Sequence, residues 1–356
     1  MGADLDLQPL PKAELHQHLD GAMRVETAVA LAAVAGTSLT ADEARRRMVA
    51  PDRCASQAEL LRYFELPISL LQTERALRRV AAELVADLVA DGVRYAEIRW
   101  APRLHLEGGL SVGEVITAVA VGIAEAAAAI GPRTPLIGLI VSAMRSHPPA
   151  ANVQLAHDAV AFGPPVVGFD LAGDEAGFPA PPHAAAFVVA REGGLGLSVH
   201  AGEVPGVEHI VEALDLGARR IAHGVTAIDD PALVQRLREL DVTLDLCPTS
   251  NVQSGVVSGL GAHPAARLHR AGVSVTLSTD DRTVSGTTLS AELARTAAAL
   301  RLSRAELAQI ALNGFRRGFA PSGMRAPLIA EAERAWSSWA TRTARPAHPT
   351  RTARAG

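Results

Sequence analysis

The sequence predicts an α/β fold in which eight parallel strands form a barrel surrounded by helices. Eight short apolar runs typical of buried strands recur along the chain, and each is followed by a turn signal and a helical stretch. After the first gap, most runs lie roughly 30 residues apart, which is the length of a βα unit. The 356 residues suffice for a (β/α)8 TIM barrel of about 250 residues with insertions.

The predicted strands follow one another in the order AELHQH, VRYAEIRWA, PLIGLIVSA, VVGFDLA, LGLSVHA, RRIAHG, VTLDLC and VSVTLSTD. Alternation of strands with helices indicates parallel pairing. No glycine-rich phosphate fingerprint follows the first strand, which argues against an open nucleotide-binding sheet. Eight βα units therefore favour closure into a barrel.

Two helical regions lie outside this alternation. From about residue 23 to residue 90 the pattern is helical, and SQAELLRYFELPISLLQT has apolar residues three and four apart. We predict that this insertion after the first strand covers the C-terminal mouth of the barrel, and that extra helices extend from about Leu289 to Trp339. Residues 1–340 are thus predicted to form a single domain, followed at 341–356 by a disordered tail without an apolar period.

Composition limits the expected partners and compartment. A net charge of -4 and a hydrophobic content of 48% give no sign of disorder or of a nucleic-acid surface. Cys54 and Cys247 are too few for a disulfide framework, and the N-terminus lacks a signal-peptide pattern. The run VITAVAVGIAEAAAAIG carries Glu125 and is predicted to be a buried helix too short to span a membrane. A cytoplasmic protein without a membrane or nucleic-acid partner is expected; no pattern predicts an oligomeric state.

The stretch LPKAELHQHLDGAMR contains two histidines, His16 and His18, separated by one residue. Residues two apart in a strand share a face, so both imidazoles can point to one side. In LGLSVH the small or polar residues share a face that ends in His200, and in VSVTLSTD the corresponding face ends in Asp280. If this face is turned to the barrel axis, the four side chains meet at the C-terminal mouth, where barrel active sites are built.

Three histidines and one carboxylate form a plausible zinc site with room for a water molecule. A histidine at a strand end is by itself more often a hydrogen-bonded structural residue, and the four matching positions together favour the metal site. Glu203 in HAGE, His223 in AHG and Asp281 in STDD are further acids and bases beside these ligands. Taken singly, Glu203 would be a carboxylate at a helix N-terminus and Asp281 a solvated loop residue.

Six short motifs occur in the order PKAELHQHLDGA, DLAGDE, HAGE, AHG, CPTSN and STDD. In this order they resemble the motifs of adenosine deaminases of the amidohydrolase superfamily, over most of the chain. The resemblance implies one Zn2+, or another divalent transition metal, held by His16, His18, His200 and Asp280. It also implies hydrolytic deamination of adenosine and 2′-deoxyadenosine to inosine and 2′-deoxyinosine plus ammonia, so the expected partner is a small purine nucleoside.

The same resemblance implies catalytic roles for Glu203 and His223 and a substrate contact for Asp281. Glu203 would donate a proton to ring nitrogen 1 of the purine, His223 would orient or deprotonate the attacking water, and Asp281 would hydrogen-bond ring nitrogen 7. An aromatic purine resists attack at carbon 6 unless nitrogen 1 accepts a proton. Glu203 therefore needs a raised pKa in a desolvated pocket.

Further substrate contacts are also implied by the resemblance. The backbone of Gly173 would meet ring nitrogen 3, Asp20 would hold a ribose hydroxyl, and His18 would contact the substrate as well as the metal. An apolar lid would be formed by Leu60, Leu61 and Phe64.

Other substrates of the same class stay open. Adenine deaminases resemble this sequence but tend to carry glutamate where HLDG has Asp20, and the shorter acid leaves room for a ribose. Nucleosides with a larger 5′ group, such as aminodeoxyfutalosine, are another alternative. Arg282 follows the paired aspartates, where animal-type enzymes usually have proline. This version of the motif is similar to that of a bacterial branch of the family. It leaves the residues at the rim of the pocket undefined.

Other protein classes fit less well. Lys12 is the single lysine and precedes the first strand, so the carboxylated lysine that bridges two metals in related hydrolases has no counterpart. The H-x-E and P-C-x-x-C signature of cytidine deaminases is absent. A catalytically dead binding protein would be expected to have lost Glu203 or a ligand. Cys247 and Asp245 share the inward face of the seventh strand, where Cys247 is most simply a small buried hydrophobe.

Overall fold

The structure, a computed structural model, describes residues 5–341. Its centre is a sheet of eight parallel strands that pair in sequence order. The strands are β1 (Lys12–His18), β2 (Val93–Trp100), β3 (Leu136–Met144), β4 (Val166–Ala172), β5 (Gly196–Ala201), β6 (Arg220–His223), β7 (Thr243–Leu246) and β8 (Ser274–Leu277). The eight predicted strands and the predicted barrel are confirmed.

The segment that follows β8 closes the barrel against β1. Gln17 and Asp280 form a parallel bridge. The His18 amide donates to the Asp280 carbonyl at 2.8 Å, and the Asp280 amide donates to the His16 carbonyl at 2.9 Å. The prediction that the eighth strand itself reaches Asp280 is wrong, because β8 ends at Leu277 and Asp280 has a left-handed φ of 61°, which a regular strand does not contain.

Five helices lie between β1 and β2: α1 (Val25–Val34), α2 (Ala41–Met48), α3 (Gln57–Leu61), α4 (Glu65–Leu70) and α5 (Glu74–Ala90). The predicted insertion consists of α1 to α4 and ends near Thr73, whose hydroxyl caps α5 by accepting from the Ala76 amide at 3.2 Å. Helices fill the predicted stretch up to Ala90, but the last of them, α5, packs against β2 as part of the outer ring. An apolar helix face looks the same in the sequence whether it packs on the barrel wall or over its mouth.

The remaining helices are α6 (Val112–Ile130), α7 (Pro149–Phe162), α8 (Ala184–Glu192), α9 (Glu208–Asp215), α10 (Pro231–Glu239), α11 (Pro248–Gln253), α12 (Ala265–Arg270), α13 (Leu289–Leu300), α14 (Arg304–Arg317) and α15 (Ser322–Thr341). The last three are the predicted C-terminal helices, and Trp336 of α15 donates from its indole to the Pro11 carbonyl at 2.8 Å. One large hydrophobic core packs the helices around the barrel. The single domain stays a prediction, and the predicted tail lies, apart from Thr341, outside the described residues.

One helix among the described residues, within Val112–Arg133, is long and apolar enough to cross a membrane by length and composition. The prediction that this run is too short is therefore wrong. In the structure α6 lies in the outer ring and packs along α5. The two helices approach so closely that a Cβ at Gly122 would lie 2.2 Å from the Arg78 carbonyl oxygen.

Candidate metal centre and active site

The C-terminal ends of the strands open into a cavity of about 260 Å³. The segment called the lid below, α3 and the turn Arg62–Phe64, lines this cavity from the insertion side. The sequence-predicted residues that line it are His18, Asp20, Leu60, Leu61, Phe64, Gly173, His200, Glu203, His223, Asp280 and Asp281. The remaining predicted residue, His16, lies next to them and is fully buried. The structure thus brings all the predicted site residues together.

Three histidines and one aspartate form a tight cluster at this end of the barrel. The Nε2 atoms of His16 and His18 are 3.3 Å apart, and those of His18 and His200 are 3.2 Å apart. Oδ1 of Asp280 lies 2.9 Å from Nε2 of His16 and 3.4 Å from Nε2 of His18. One ligand atom of each residue thus lies within 4.8 Å of the other three. Nitrogen and oxygen donors in this number fit a tetrahedral divalent metal.

Burial keeps His16 and His18 neutral. Desolvation lowers the pKa of His18 to about 3 and lowers the pKa of His16 well below its ordinary value. A neutral imidazole offers a nitrogen lone pair, which a metal ion requires. The chemistry of the donors therefore fits a divalent transition metal.

His200 is held by a residue that the sequence analysis missed. Nδ1 of His200 lies 3.0 Å from Oδ2 of Asp170, so its Nε2 is left to face the cluster. Asp170 is itself buried, where it accepts from the Ser142 hydroxyl at 3.0 Å and lies 3.6 Å from Nη1 of Arg99. The inward parity of Asp170 in VVGFDLA was the signal that could have found it.

Glu203 is buried beside the cluster. The backbone amides of Gly202 and Glu203 donate to the two carboxylate oxygens of Glu175, at 2.7 Å and 3.0 Å, and so hold the turn in place. From the lid, Nε2 of Gln57 donates to Oε2 of Glu203 at 2.6 Å. Burial raises the pKa of Glu203 well above its ordinary value, which favours the protonated carboxyl. Glu203 is not a carboxylate at a helix N-terminus, because α9 begins after this turn.

His223 ends β6 with a left-handed φ of 70°. Its Nε2 lies 3.5 Å from Oε2 of Glu203 and 3.9 Å from Oδ2 of Asp280, between the acid and the cluster. Burial lowers the pKa of His223 to about 4, so its imidazole is neutral. A non-glycine residue in this conformation costs about 1–3 kcal/mol, and such strain is concentrated at functional sites.

Two further carboxyl groups face the cavity. Burial raises the pKa of Asp281 well above its ordinary value, with the charge of Asp280 as the next cause. Burial also raises the pKa of Asp20 to about 6. Position 21 requires a glycine, because a Cβ there would lie 1.8 Å from Oδ1 of Asp281. Asp281 is therefore a buried residue of the site and not a solvated loop residue.

Gly173 and the lid also line the cavity. Gly173 follows β4 with a φ of 107°, a conformation that side chains rarely adopt, so its backbone can come close to a ligand. Leu60, Leu61 and Phe64 contribute apolar surface from the lid. The ring of Phe64 lies 6.3 Å from that of His18, which brings the lid next to the cluster.

The structure shows the surroundings of three residues whose roles the sequence did not determine: Arg282, Asp245 and Cys247. Arg282 does not line the cavity; its Nη1 lies 3.4 Å from Oδ2 of Asp91, at the end of α5. Asp245 points into the barrel interior, where it lies 2.9 Å from Nε of Arg220. Cys247 is fully buried, and burial raises the pKa of its thiol, as expected of a small buried hydrophobe.

A barrel whose strand ends combine a metal-ligand cluster with buried acids is typical of hydrolases that activate water. The family model described as adenosine deaminase matches residues 11–335. The chain is 39% identical over 343 residues to an adenosine deaminase of Mycobacterium sp. (strain JLS), covering 91% of this chain and 94% of that protein. It is 36% identical over 318 residues to an adenosine deaminase of Enterococcus faecalis, covering 88% and 93%. The chain belongs to the adenosine deaminase family, as predicted.

Solved structures of related enzymes share the fold. An adenine deaminase from Arthrobacter aurescens matches with a TM-score of 0.84 and 28% identity, over 93% of this chain and 99% of that one. An amidohydrolase from Burkholderia ambifaria with bound Zn matches with a TM-score of 0.86 and 25% identity, over 96% of each chain. Arabidopsis ADAL complexed with IMP matches with a TM-score of 0.82 and 26% identity, over 93% and 98%. This chain is accordingly a hydrolytic deaminase that acts on purines.

Proposed function

We propose that this protein hydrolyses the 6-amino group of adenosine and 2′-deoxyadenosine, giving ammonia and inosine or 2′-deoxyinosine. The observation that carries the proposal is one buried acid, Glu203, which lines the cavity and contacts Gln57 of the lid and His223 beside the cluster. In the balanced reaction the water oxygen forms a bond to carbon 6, the bond from carbon 6 to the amino nitrogen breaks, and the amino group leaves as ammonia.

We propose one Zn2+ at the cluster, held by His16, His18, His200 and Asp280. A zinc ion bound there would supply Lewis acidity, which lowers the pKa of a bound water molecule to about 7. Asp170 would keep Nε2 of His200 turned toward the ion, as carboxylate partners of metal-binding histidines commonly do. The similar amidohydrolase with bound Zn supports this choice, and another divalent transition metal suits the same donors.

Glu203 would hold the proton that the purine needs. Protonation of ring nitrogen 1 makes carbon 6 open to attack, and a buried carboxyl with a raised pKa carries that proton at neutral pH. Gln57 would orient the carboxyl through its hydrogen bond of 2.6 Å. His223, with Nε2 at 3.5 Å from Glu203, would face the attacking water.

Asp281 and Gly173 would recognise two other ring nitrogens. Nitrogen 7 of a purine is an acceptor, so the group that faces it must donate. The raised pKa of Asp281 favours its protonated carboxyl, and its Oδ1 has no hydrogen-bond partner in the described part of the protein. Nitrogen 3 is also an acceptor, which the backbone amide of Gly173 would meet.

Asp20 would hold a ribose hydroxyl at the same mouth. It lies next to His18, which keeps 14% of its side chain exposed and can contact the substrate as well as the metal. The lid residues would cover the base with apolar surface: Leu60, Leu61 and Phe64.

A nucleoside suits this cavity better than a nucleotide. Arabidopsis ADAL binds IMP, and a 5′-phosphate usually requires cationic or N–H partners. Among the described residues that line the cavity none is lysine or arginine, whereas Asp20 and Asp174 contribute carboxyl groups. We therefore propose that 5′-monophosphates are poor substrates.

Free adenine is the second candidate substrate, because an adenine deaminase from Arthrobacter aurescens shares the fold at 28% identity. Asp20 favours the nucleoside, since the longer glutamate that adenine deaminases tend to carry would occupy part of the ribose space. A nucleoside with a larger 5′ group, such as aminodeoxyfutalosine, would need more room at the mouth.

Ultraviolet absorbance with the metal-loaded protein tests the proposal, with adenosine, 2′-deoxyadenosine, adenine and AMP offered separately. We expect the hypoxanthine chromophore to form with the two nucleosides only. Turnover of adenine alone would retain the chemistry and overturn the nucleoside assignment. Efficient turnover of AMP would contradict the inference from charge, and no reaction with verified metal content would overturn the proposed substrates.

Replacing Asp20 with alanine should raise KM for adenosine by roughly 10- to 100-fold, the effect of losing a hydrogen bond to a charged group. KM for any residual turnover of adenine should change little, because adenine has no ribose. Steady-state kinetics of Asp20→Ala with both substrates measures the difference. Asp174→Ala removes another carboxyl that lines the cavity and serves as the control. Equal effects of Asp20→Ala on both substrates would exclude the ribose contact.

A further inference from the structure

Asn251 connects two buried histidines behind the metal cluster. It belongs to α11 and to the CPTSN motif, and its side chain is fully buried. Oδ1 of Asn251 lies 3.2 Å from Nε2 of His263, and Nδ2 lies 3.0 Å from Nδ1 of His223. This series of contacts begins at Ala265, whose backbone amide donates to Nδ1 of His263 at 3.2 Å.

The protons along this series can be placed from the backbone outward. The Ala265 amide can only donate, so Nδ1 of His263 is an acceptor. Burial lowers the pKa of His263 to about 3, so this ring is neutral and carries its one proton on Nε2. That proton is donated to Oδ1 of Asn251. Because only the amide oxygen can accept it, this contact also fixes the orientation of the Asn251 amide. The amide nitrogen of Asn251 is a donor, and the atom it faces must therefore accept.

We propose that Asn251, oriented by His263, holds His223 in the tautomer that carries its proton on Nε2. The proposal rests on the proposed function and deepens it. A nitrogen that already carries a proton cannot accept another, so His223 donates a hydrogen bond to the attacking water and does not deprotonate it. The other side of the ring is consistent with this tautomer: Nε2 faces Oε2 of Glu203 at 3.5 Å, the oxygen that accepts from Gln57, and the Asp280 carboxylate at 3.9 Å.

Asn251 and His263 are positioning residues in this arrangement, since neither lines the cavity. Proton transfer to the purine then depends on Glu203. Water brings two protons: one leaves with the amino group as ammonia, and the other restores the proton that Glu203 gives to nitrogen 1. His223 keeps its own proton throughout.

Nitrogen-15 NMR of histidine side chains in the full-length, metal-free protein tests this assignment. Protonated and unprotonated ring nitrogens resonate far apart, and the His223 signals are identified by their loss in His223→Gln. We expect the wild-type His223 to be protonated on Nε2 and unprotonated on Nδ1. Asn251→Asp places an acceptor oxygen against Nδ1, so there we expect Nδ1 to become protonated. In the metal-loaded variant, kcat for adenosine should fall by roughly 10²- to 10³-fold, the effect of losing one positioned hydrogen-bond donor, with a smaller change in KM.

Ser254→Ala is the matched control, because the Ser254 hydroxyl donates to the Asn251 carbonyl at 3.4 Å and contacts neither imidazole in this series. Its spectrum should equal that of the wild type. A wild-type His223 with its proton on Nδ1 would overturn the proposal, whatever the variants do. A folded Asn251→Asp protein that loses activity with Nδ1 still unprotonated would show a merely structural role. The spectrum requires no turnover, so it distinguishes this proposal from a failure of the proposed substrate.

Discussion

Replacing Glu203 with glutamine is expected to lower the turnover of adenosine by roughly 10²- to 10⁴-fold, the range that a general acid contributes. Glutamine keeps the shape of the side chain and can still accept the hydrogen bond from Gln57. It has no acidic proton to give to ring nitrogen 1, so the purine stays resistant to attack at carbon 6. Steady-state kinetics at verified metal content measures the loss.

Metal content and the pH profile separate loss of the acid from damage to the site. Glu203 is outside the metal-ligand cluster, so full occupancy is expected in Glu203→Gln. The raised pKa of Glu203 means that wild-type kcat should fall as pH rises through that pKa and the proton is lost. Glu203→Gln should lack this decrease, and Asp174→Asn should keep both the decrease and the wild-type rate. Normal turnover in Glu203→Gln would exclude it as the acid.

Strand periodicity predicted much of the site because side chains alternate between two faces. His16 and His18 lie in β1 and His200 lies in β5. Knowing the strands and their C-terminal ends was therefore enough to predict that these three would converge in a closed barrel. Asp170 lies on the inward face of β4 by the same rule. Its contact with His200 was not predicted, because periodicity gives the direction of a side chain and not its hydrogen-bond partner.

Asp280 reaches the cluster for a different reason from the one predicted. β8 ends at Leu277, and a left-handed backbone at Asp280, not strand alternation, directs its carboxylate. That conformation is held by backbone hydrogen bonds to β1, which are contacts between opposite ends of the barrel sequence. The contacts of Gln57 and Asn251 similarly depend on where α3 and α11 pack, which no periodicity in their own segments determines.

Replacing Asp280 with asparagine is expected to weaken metal binding by more than about 100-fold and to abolish turnover. The carboxylate supplies the negative charge of the cluster, with Oδ1 at 2.9 Å from Nε2 of His16, whereas an amide oxygen is a neutral donor. Loss of a partner that only orients a metal-binding histidine costs about 10- to 100-fold in affinity, so loss of a ligand should cost more. Competition with a chelator, followed by elemental analysis, measures the affinity.

Asparagine is the informative substitution because it separates metal binding from backbone strain. Asparagine, like aspartate, tolerates the left-handed conformation, and the bonds that close the barrel at residue 280 use backbone atoms. Asp280→Ala should lose the metal equally, but its free energy of unfolding without metal should be about 1–2 kcal/mol lower than that of Asp280→Asn, as measured with denaturant. Asp170→Asn should have a metal affinity between those of the wild type and Asp280→Asn, since it releases only the orientation of His200. Unchanged affinity in Asp280→Asn would leave barrel closure as the role of this residue.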